Sequence, residues 1–182
     1  MEMKTKLLIN TSEITQFRVL KEEFISFHIP DEFYVVPLDE SNYTSYLNEL
    51  QLVIDYYHND ITWDGIPSLS DVEKRFQSNS TCLLFYWNDI CIGWRWNNPN
   101  VTINFIDINT VLLKNEMYIG NTFVTKSVER PKLSGLYLHN LGVNYWFNNT
   151  DYDIIYNYIE NWHNHSIELN VRNGFTKFNF LN

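Results

Sequence analysis

The 182-residue chain has six glycines, two cysteines and no long uninterrupted apolar run, and each shortage removes a class of protein. Cys82 and Cys91 cannot frame a disulfide scaffold, and a chain of this length does not need one, so they read as reduced core thiols. Neither they nor the five histidines fall in a zinc-like spacing, and no metal site is expected. No stretch approaches the roughly 18 apolar residues of a membrane span. The opening "MEMKTKLLINTSEITQF" has too short an apolar stretch for a signal peptide, so the expectation is a soluble, cytoplasmic protein with no membrane partner. Basic residues are scarce as well: 13 Lys and Arg stand against 22 Asp and Glu, for a net charge of −9. Neutralising nucleic-acid phosphates needs a basic face, so no nucleic-acid partner is expected, and the field suits a small cationic acceptor.

What the chain does contain is core. Hydrophobic residues make up 45% and aromatics 16%, which excludes a disordered or solvating chain. No repeat or low-complexity linker divides it, so a single domain over residues 1–182 is expected, with residues 1–32 an N-terminal extension of uncertain structure.

"FYVVP" (Phe33 to Pro37) is β-prone, and Ser41 is an N-cap candidate for the helix after it. Tyr43, Tyr46, Leu47, Leu50, Ile54 and Tyr57 recur on a single helical face. Ser70 and Glu73 have the spacing of a capping box for a second, shorter helix. "TCLLFYW" and "ICIGWRW", joined by Asn88 and Asp89, predict a β-hairpin. "VTINFI" (Val101 to Ile106) is a further strand or an extension. "EMYIGNTFV" (Glu116 to Val124) is a strong strand whose Gly120 marks a bulge. Gly135 to Phe147 is a helix apolar nearly all round, Tyr152 to Glu160 a buried strand, Ser166 to Asn173 a short helix, and "FTKFNFL" a final strand. Glu116 to Glu160 is thus a βαβ unit with parallel strands and a right-handed crossover.

The loop between that first strand and its helix, "VTKSVERPKLSG", gathers Lys126, Arg130 and Lys132 in an otherwise acidic chain. Free N–H groups at a helix start make a natural anion site, and this local charge suits a diphosphate. At these residues the sequence resembles the GNAT superfamily of N-acyltransferases. Members of that family bind the pyrophosphate of acyl-coenzyme A through an Arg/Gln-x-x-Gly-x-Gly/Ala segment between strand and helix. Arg130-Pro131-Lys132-Leu133-Ser134-Gly135 matches its first and last positions, with Leu133 in place of the middle glycine. Many members also carry a late N-x-x-[SA] segment that leads through a short helix to Lys/Arg-x-Gly-Phe. Ser166, Arg172, Gly174 and Phe175 fall at that spacing. His163 stands where the Asn would be, with Asn161 and Asn164 close by, and Asn170 stands where many members place a Tyr that protonates the leaving thiolate. The resemblance spans roughly Phe33 to Leu181.

The resemblance implies an α/β fold: a single GNAT-like domain with a mixed, mostly antiparallel sheet, a central parallel βαβ splay and flanking helices. It implies transfer of an acetyl or other acyl group from coenzyme A to an amine, a small molecule or a peptide N-terminus, by direct attack. Thr122, Phe123 and Val124 would hold the coenzyme at the splayed strand. Arg130, Lys132, Leu133, Ser134 and Gly135 would hold it at the loop, and Asn164 and Ser166 along its arm. Glu116 matches a position where members often place a base, against the plainer reading of a solvated strand-end Glu. Asn170 can orient a thioester but cannot donate a proton, and a thiol of pKa about 8.5 leaves without an acid.

Other readings compete. His139 reads as a core histidine, His163 and His165 as exposed loop residues or as groups that reach the site from the final loop, and Trp63, Trp94 and Trp96 as core or as walls of an acceptor cleft. Leu133 and Asn170 also fit a non-catalytic member of the fold that binds a ligand or partner, and a donor on an acyl carrier protein would relax the demand on the loop.

Overall fold

The computed structural model describes residues 14–60, 67–99, 102–105, 108–161 and 163–178. Trp63 and the end of the last strand lie outside them. Nine strands and four α-helices run β1 (Ile14–Leu20), β2 (Phe33–Leu38), α1 (Leu47–Asp60), α2 (Leu69–Gln77), β3 (Thr81–Trp87), β4 (Ile90–Pro99), β5 (Thr102–Phe105), β6 (Ile108–Val111), β7 (Glu116–Val124), α3 (Ser134–Asn149), β8 (Ile154–Glu160), α4 (Asn164–Arg172) and β9 (Thr176–Lys177) among the described residues. Seven strands form one sheet in the order β2-β3-β4-β7-β8-β1-β9, and β5 pairs with β6. Every pairing is antiparallel except β7 with β8. This is the mixed α/β sheet expected.

Alternation along the strands sorts side chains to two faces. Ile92, Met117, Ile119 and Ile155 pack with Leu138 and Val143 of α3. Leu84, Trp94, Trp96 and Phe123 pack on the other face with Leu50, Val53 and Ile54 of α1 and Val72 and Phe76 of α2. Trp94 and Trp96 are therefore core residues. Cys82 and Cys91 are free and buried, and burial pushes the Cys91 thiol up to about 12.

Several local readings need correction. Ser41 does not cap a helix: its N–H and hydroxyl both donate to Asp39 Oδ1, and a 3-10 turn over Tyr43–Tyr46 precedes α1. The capping box of α2 is formed by Ser68 and Asp71, not Ser70 and Glu73. Both pairs have the spacing, and the earlier start adds Leu69 to the aromatic cluster. "VTINFI" supplies β5, and β6, which its pattern did not reveal, completes a small hairpin. The ambiguous N-terminal stretch holds β1, inserted between β8 and β9, with Phe17 and Val19 fully buried.

The predicted turn at Asn88 and Asp89 has both residues at positive φ, as a two-residue hairpin requires. Gly174, at φ +85°, ends α4: its N–H donates to Val171 O and that of Phe175 to Asn170 O, the paired bonds of a Schellman stop. A Cβ there would lie 2.5 Å from Glu23 O, so the glycine also lets the N-terminal segment cross the helix end. No helix among the described residues is long and apolar enough to cross a membrane.

Candidate active site

β7 changes its surroundings partway along. Glu116 to Ile119 pair with Ile154 to Asn157, and the parallel register stops there. Beyond it β7 keeps only β4. Arg95 faces Thr122 and Asn97 faces Ile119, so two steps along β4 match three along β7. The extra residue falls at Gly120–Asn121, the bulge that Gly120 suggested. From the bulge to Val124, the β8-facing edge of β7 is open. Thr125 N–H donates to Ile92 O at 2.8 Å on the β4 side. Alternation along an extended strand then aims the N–H groups of Val124 and Thr122 into the opening and that of Phe123 toward β4.

Both faces of the sheet hold this edge in place. On the α1 side, Asn121 Oδ1 accepts from Trp94 Nε1 and from the Tyr57 hydroxyl, each at 3.0 Å. On the α3 side, Arg95 Nε donates to Thr122 Oγ1 at 3.3 Å. Arg95 is 1% exposed, with no carboxylate paired to it among the described residues. Its remaining contacts are the His139 carbonyl at 3.2 Å, His139 Nδ1 at 2.8 Å and the Phe85 ring. Burial pulls its pKa down to about 9. Burial first, and the Arg95 charge second, hold His139 well below its usual range, so the imidazole is neutral and Nδ1 accepts.

The loop after β7 is organised around two charges. The Asp60 carboxylate, at the end of α1, accepts from Thr125 Oγ1 at 2.5 Å, Lys126 N at 2.7 Å and Ser127 Oγ at 2.8 Å. Burial raises its pKa, but these three donors outweigh it and leave the carboxyl below its usual range. The latch is thus present above the ordinary carboxylate pKa and is lost only as pH falls through the lowered value. Arg130 folds back over the same loop. Its Nε donates to Ser134 Oγ at 3.0 Å and its NH1 to the carbonyls of Val128 and Thr125. Its NH2 edge has no partner among the described residues.

The first turn of α3 comes next. Its N-cap residue Leu133 supplies no side-chain cap, so the N–H groups of Gly135 and Leu136 lack one. An open groove of about 340 Å³ lies over this turn, lined by Lys126, Val128, Glu129, Arg130, Pro131, Lys132 and Ser134. A smaller cavity of about 150 Å³ continues between α3 and α4, where Lys132 and Leu133 meet His165, Leu169 and Arg172. His165 is exposed at the start of α4, and its Nε2 lies 3.4 Å from where a Cβ on Gly135 would stand. Asn164 and His163 are also exposed, and Ser166 is half-buried.

The structure thus brings Arg130, Lys132 and Ser134 together around one groove, with Leu133 on the smaller cavity beside it and Gly135 in the first turn of α3, while Thr122 to Val124 form the open edge that leads into this loop. Asn170 is buried on α4, both its polar atoms engaged. Glu116 lies at the far end of β7 and is 8% exposed, not solvated. Its Oε2 accepts from Leu113 N at 2.8 Å and its Oε1 from the Tyr156 hydroxyl at 2.9 Å. Sequence reasoning did not find Asp60, Arg95 or Asn121. Only Arg95 gave a signal, a cation inside the apolar strand "ICIGWRW".

No family model matches the chain, and no curated protein matches it. Solved structures do. A GCN5-related N-acetyltransferase from Kribbella flavida is 10% identical with a TM-score of 0.52, covering 90% of this chain and 53% of its own. An aminoglycoside acetyltransferase from an uncultured soil metagenomic sample, in complex with sisomicin, is 11% identical with a TM-score of 0.57, covering 85% of this chain and 95% of its own. A tandem GNAT protein from the clavulanic acid pathway is 10% identical with a TM-score of 0.58, covering 91% and 50%. The chain has the GNAT fold. It spans about half the length of several of the structures it matches. Within the GNAT fold, the opening beyond Ile119 and Asn157 is the central βαβ splay that the sequence led us to expect.

Proposed function

We propose that the protein is an N-acyltransferase that moves an acetyl or other acyl group from acyl-coenzyme A to an amine. The observation that carries this reading is that the open edge of β7 leads, through Thr125, straight into the loop whose groove concentrates Lys126, Arg130 and Lys132 in a protein of net charge −9. The residues fit the donor. The uncapped N–H groups of Gly135 and Leu136, the NH2 edge of Arg130 and Lys132 receive the diphosphate. The N–H groups of Thr122 and Val124 face the arm and the thioester oxygen, and Asn164 and Ser166 flank the arm on α4.

The amine nitrogen attacks the thioester carbon, the C–N bond forms, and the C–S bond breaks with the electron pair leaving on sulfur. The thiolate takes its proton from solvent, because Asn170 has none to give. Glu116 is the base that receives the amine proton. It stands six residues, roughly 20 Å along the strand at about 3.3 Å per residue, from the Thr122 N–H that faces the thioester, so the proton reaches it along a chain of waters. A second reading, a GNAT fold that binds without transfer, is favoured by Asn170, whose carboxamide is engaged within the protein.

Arg130→Ala tests the donor site. It removes both the free guanidinium edge and the brace between Thr125, Val128 and Ser134. Acetyl-CoA affinity, measured by calorimetry, should fall by about tenfold or more. Unchanged affinity would place the diphosphate elsewhere. Release of free thiol across a panel of amino sugars, amino acids, polyamines and peptide N-termini identifies the acceptor.

A further inference from the structure

Asn157 ends the parallel register of β8 with β7, so it marks the apex of the opening. Its neighbours Ile155 and Ile159 enter the core beneath α3 and α4, which puts its side chain on that same face, half-buried. There its Nδ2 donates to Asn170 Oδ1 at 3.0 Å, and Asn170 Nδ2 donates to Ser166 O at 2.8 Å. A main-chain carbonyl can only accept, and this fixes the polarity of the whole relay. Turning Asn170 over would set its oxygen against the Ser166 oxygen and its NH2 against that of Asn157. Asn157 Oδ1 is consequently left as the unused acceptor of the relay, and it accepts no donor among the described residues.

A second relay provides the contrast. Asn173 Nδ2 donates to Leu169 O at 2.7 Å, and Asn140 Nδ2 donates to Asn173 Oδ1 at 2.6 Å and to Ile25 O at 2.8 Å. Asn140 and Asn173 are both fully buried, so this relay ties α3, α4 and the N-terminal segment together. Of the two, the first ends at the opening.

We infer that Asn157 is a donor-binding residue whose Oδ1 accepts an amide N–H of the acyl thioester's arm, and that Asn170 is a positioning residue that sets its polarity. The inference rests on the acyl-coenzyme A reading. The walls of the opening are complementary to a secondary amide: β7 presents the N–H groups of Thr122 and Val124, which suit a carbonyl, and Asn157 presents an acceptor for the N–H. Such an amide occurs both in coenzyme A and in the arm of a carrier protein, and S-acetylpantetheine isolates it from the nucleotide.

The test is a cycle between protein and ligand. Wild type and Asn157→Leu are titrated with acetyl-CoA, S-acetylpantetheine, analogues of the latter with each amide in turn replaced by an ester, and 3′,5′-ADP. For wild type, one ester replacement should weaken binding about fivefold, the scale of one net hydrogen bond. Asn157→Leu should bind acetyl-CoA and S-acetylpantetheine about fivefold more weakly, no longer distinguish ester from amide, and keep the wild-type affinity for 3′,5′-ADP. A structural role alone would not leave the nucleotide untouched while erasing the discrimination. Asn170→Ala should lose part of the same discrimination. Should Asn157→Leu fail to fold, the wild-type ester series decides. Equal affinity for every amide and ester overturns the assignment, as does a variant that still discriminates. A wild type that binds 3′,5′-ADP and acetyl-CoA but ignores the ester changes sinks this inference alone, whereas one that binds neither sinks the acyl-coenzyme A reading with it.

Discussion

Gly93→Ala is expected to destabilise the protein by roughly 3 kcal/mol and to abolish its response to acyl-coenzyme A. A Cβ on Gly93 would lie 2.1 Å from the Phe123 carbonyl oxygen and 2.9 Å from Val124 Cα. Both are backbone atoms of the open edge, so no side chain can rotate away, and the contact is relieved only if β7 moves off β4. At roughly 2–4 °C per kcal/mol for a domain of this size, the melting temperature should fall by roughly 6–12 °C. The displaced segment carries the Thr122 and Val124 N–H groups that face the donor, so acetyl-CoA should no longer raise the melting temperature of the variant. Gly142→Ala would strain the same edge through a side chain: its Cβ would meet the Arg95 guanidinium at 2.6 Å, beneath α3. A wild-type melting curve and ligand shift for Gly93→Ala would contradict the placement of β7.

Glu116→Gln should slow acyl transfer by about 100-fold or more while leaving coenzyme binding intact. The fold should survive, because one amide oxygen can still accept from Leu113 N and the NH2 group can donate to the Tyr156 hydroxyl in the reversed sense. What is lost is the proton acceptor. Burial pushes the Tyr156 hydroxyl up to about 12, so it remains protonated across the assay range and cannot replace the carboxylate as a base. For wild type, kcat/KM should rise with pH as the amine loses its proton and then flatten, with no descending limb around pH 10, because Asn170 supplies no acid to titrate. An unchanged rate in Glu116→Gln would make this buried carboxylate an anchor for the start of β7. A descending limb would show that a proton donor had been overlooked.

The parts of this fold that were legible in the sequence are those written in adjacent residues. The β3–β4 hairpin is announced by two apolar runs around Asn88 and Asp89, and the βαβ unit by apolar segments of strand and helix period separated by a basic loop. Gly120 as the bulge and Gly174 as the helix stop could be read because a glycine inside or after a periodic segment has few other uses. β1 was missed because its position depends on partners far along the chain: Phe17 faces Asn157 on one side and Lys177 on the other. The same holds for the supports of the candidate site. Asp60 meets Thr125 to Ser127 only once α1 lies across the sheet, and Arg95 meets His139 only through the packing of α3. Two capping spacings overlap at Ser68 and Ser70, and choosing between them takes tertiary contacts. Asn170 was noticed for the side chain it is not; its bond to Asn157 appears only when β8 and α4 are packed together.

The most direct measurement is the melting curve of the wild-type protein with and without acetyl-CoA. With ligand at about 100 times its dissociation constant, binding adds about 2.7 kcal/mol, which at roughly 2–4 °C per kcal/mol raises the melting temperature by roughly 5–10 °C. A curve that does not move at millimolar acetyl-CoA would contradict the account, since the groove at Arg130 and the open edge at Val124 would then not form a coenzyme site.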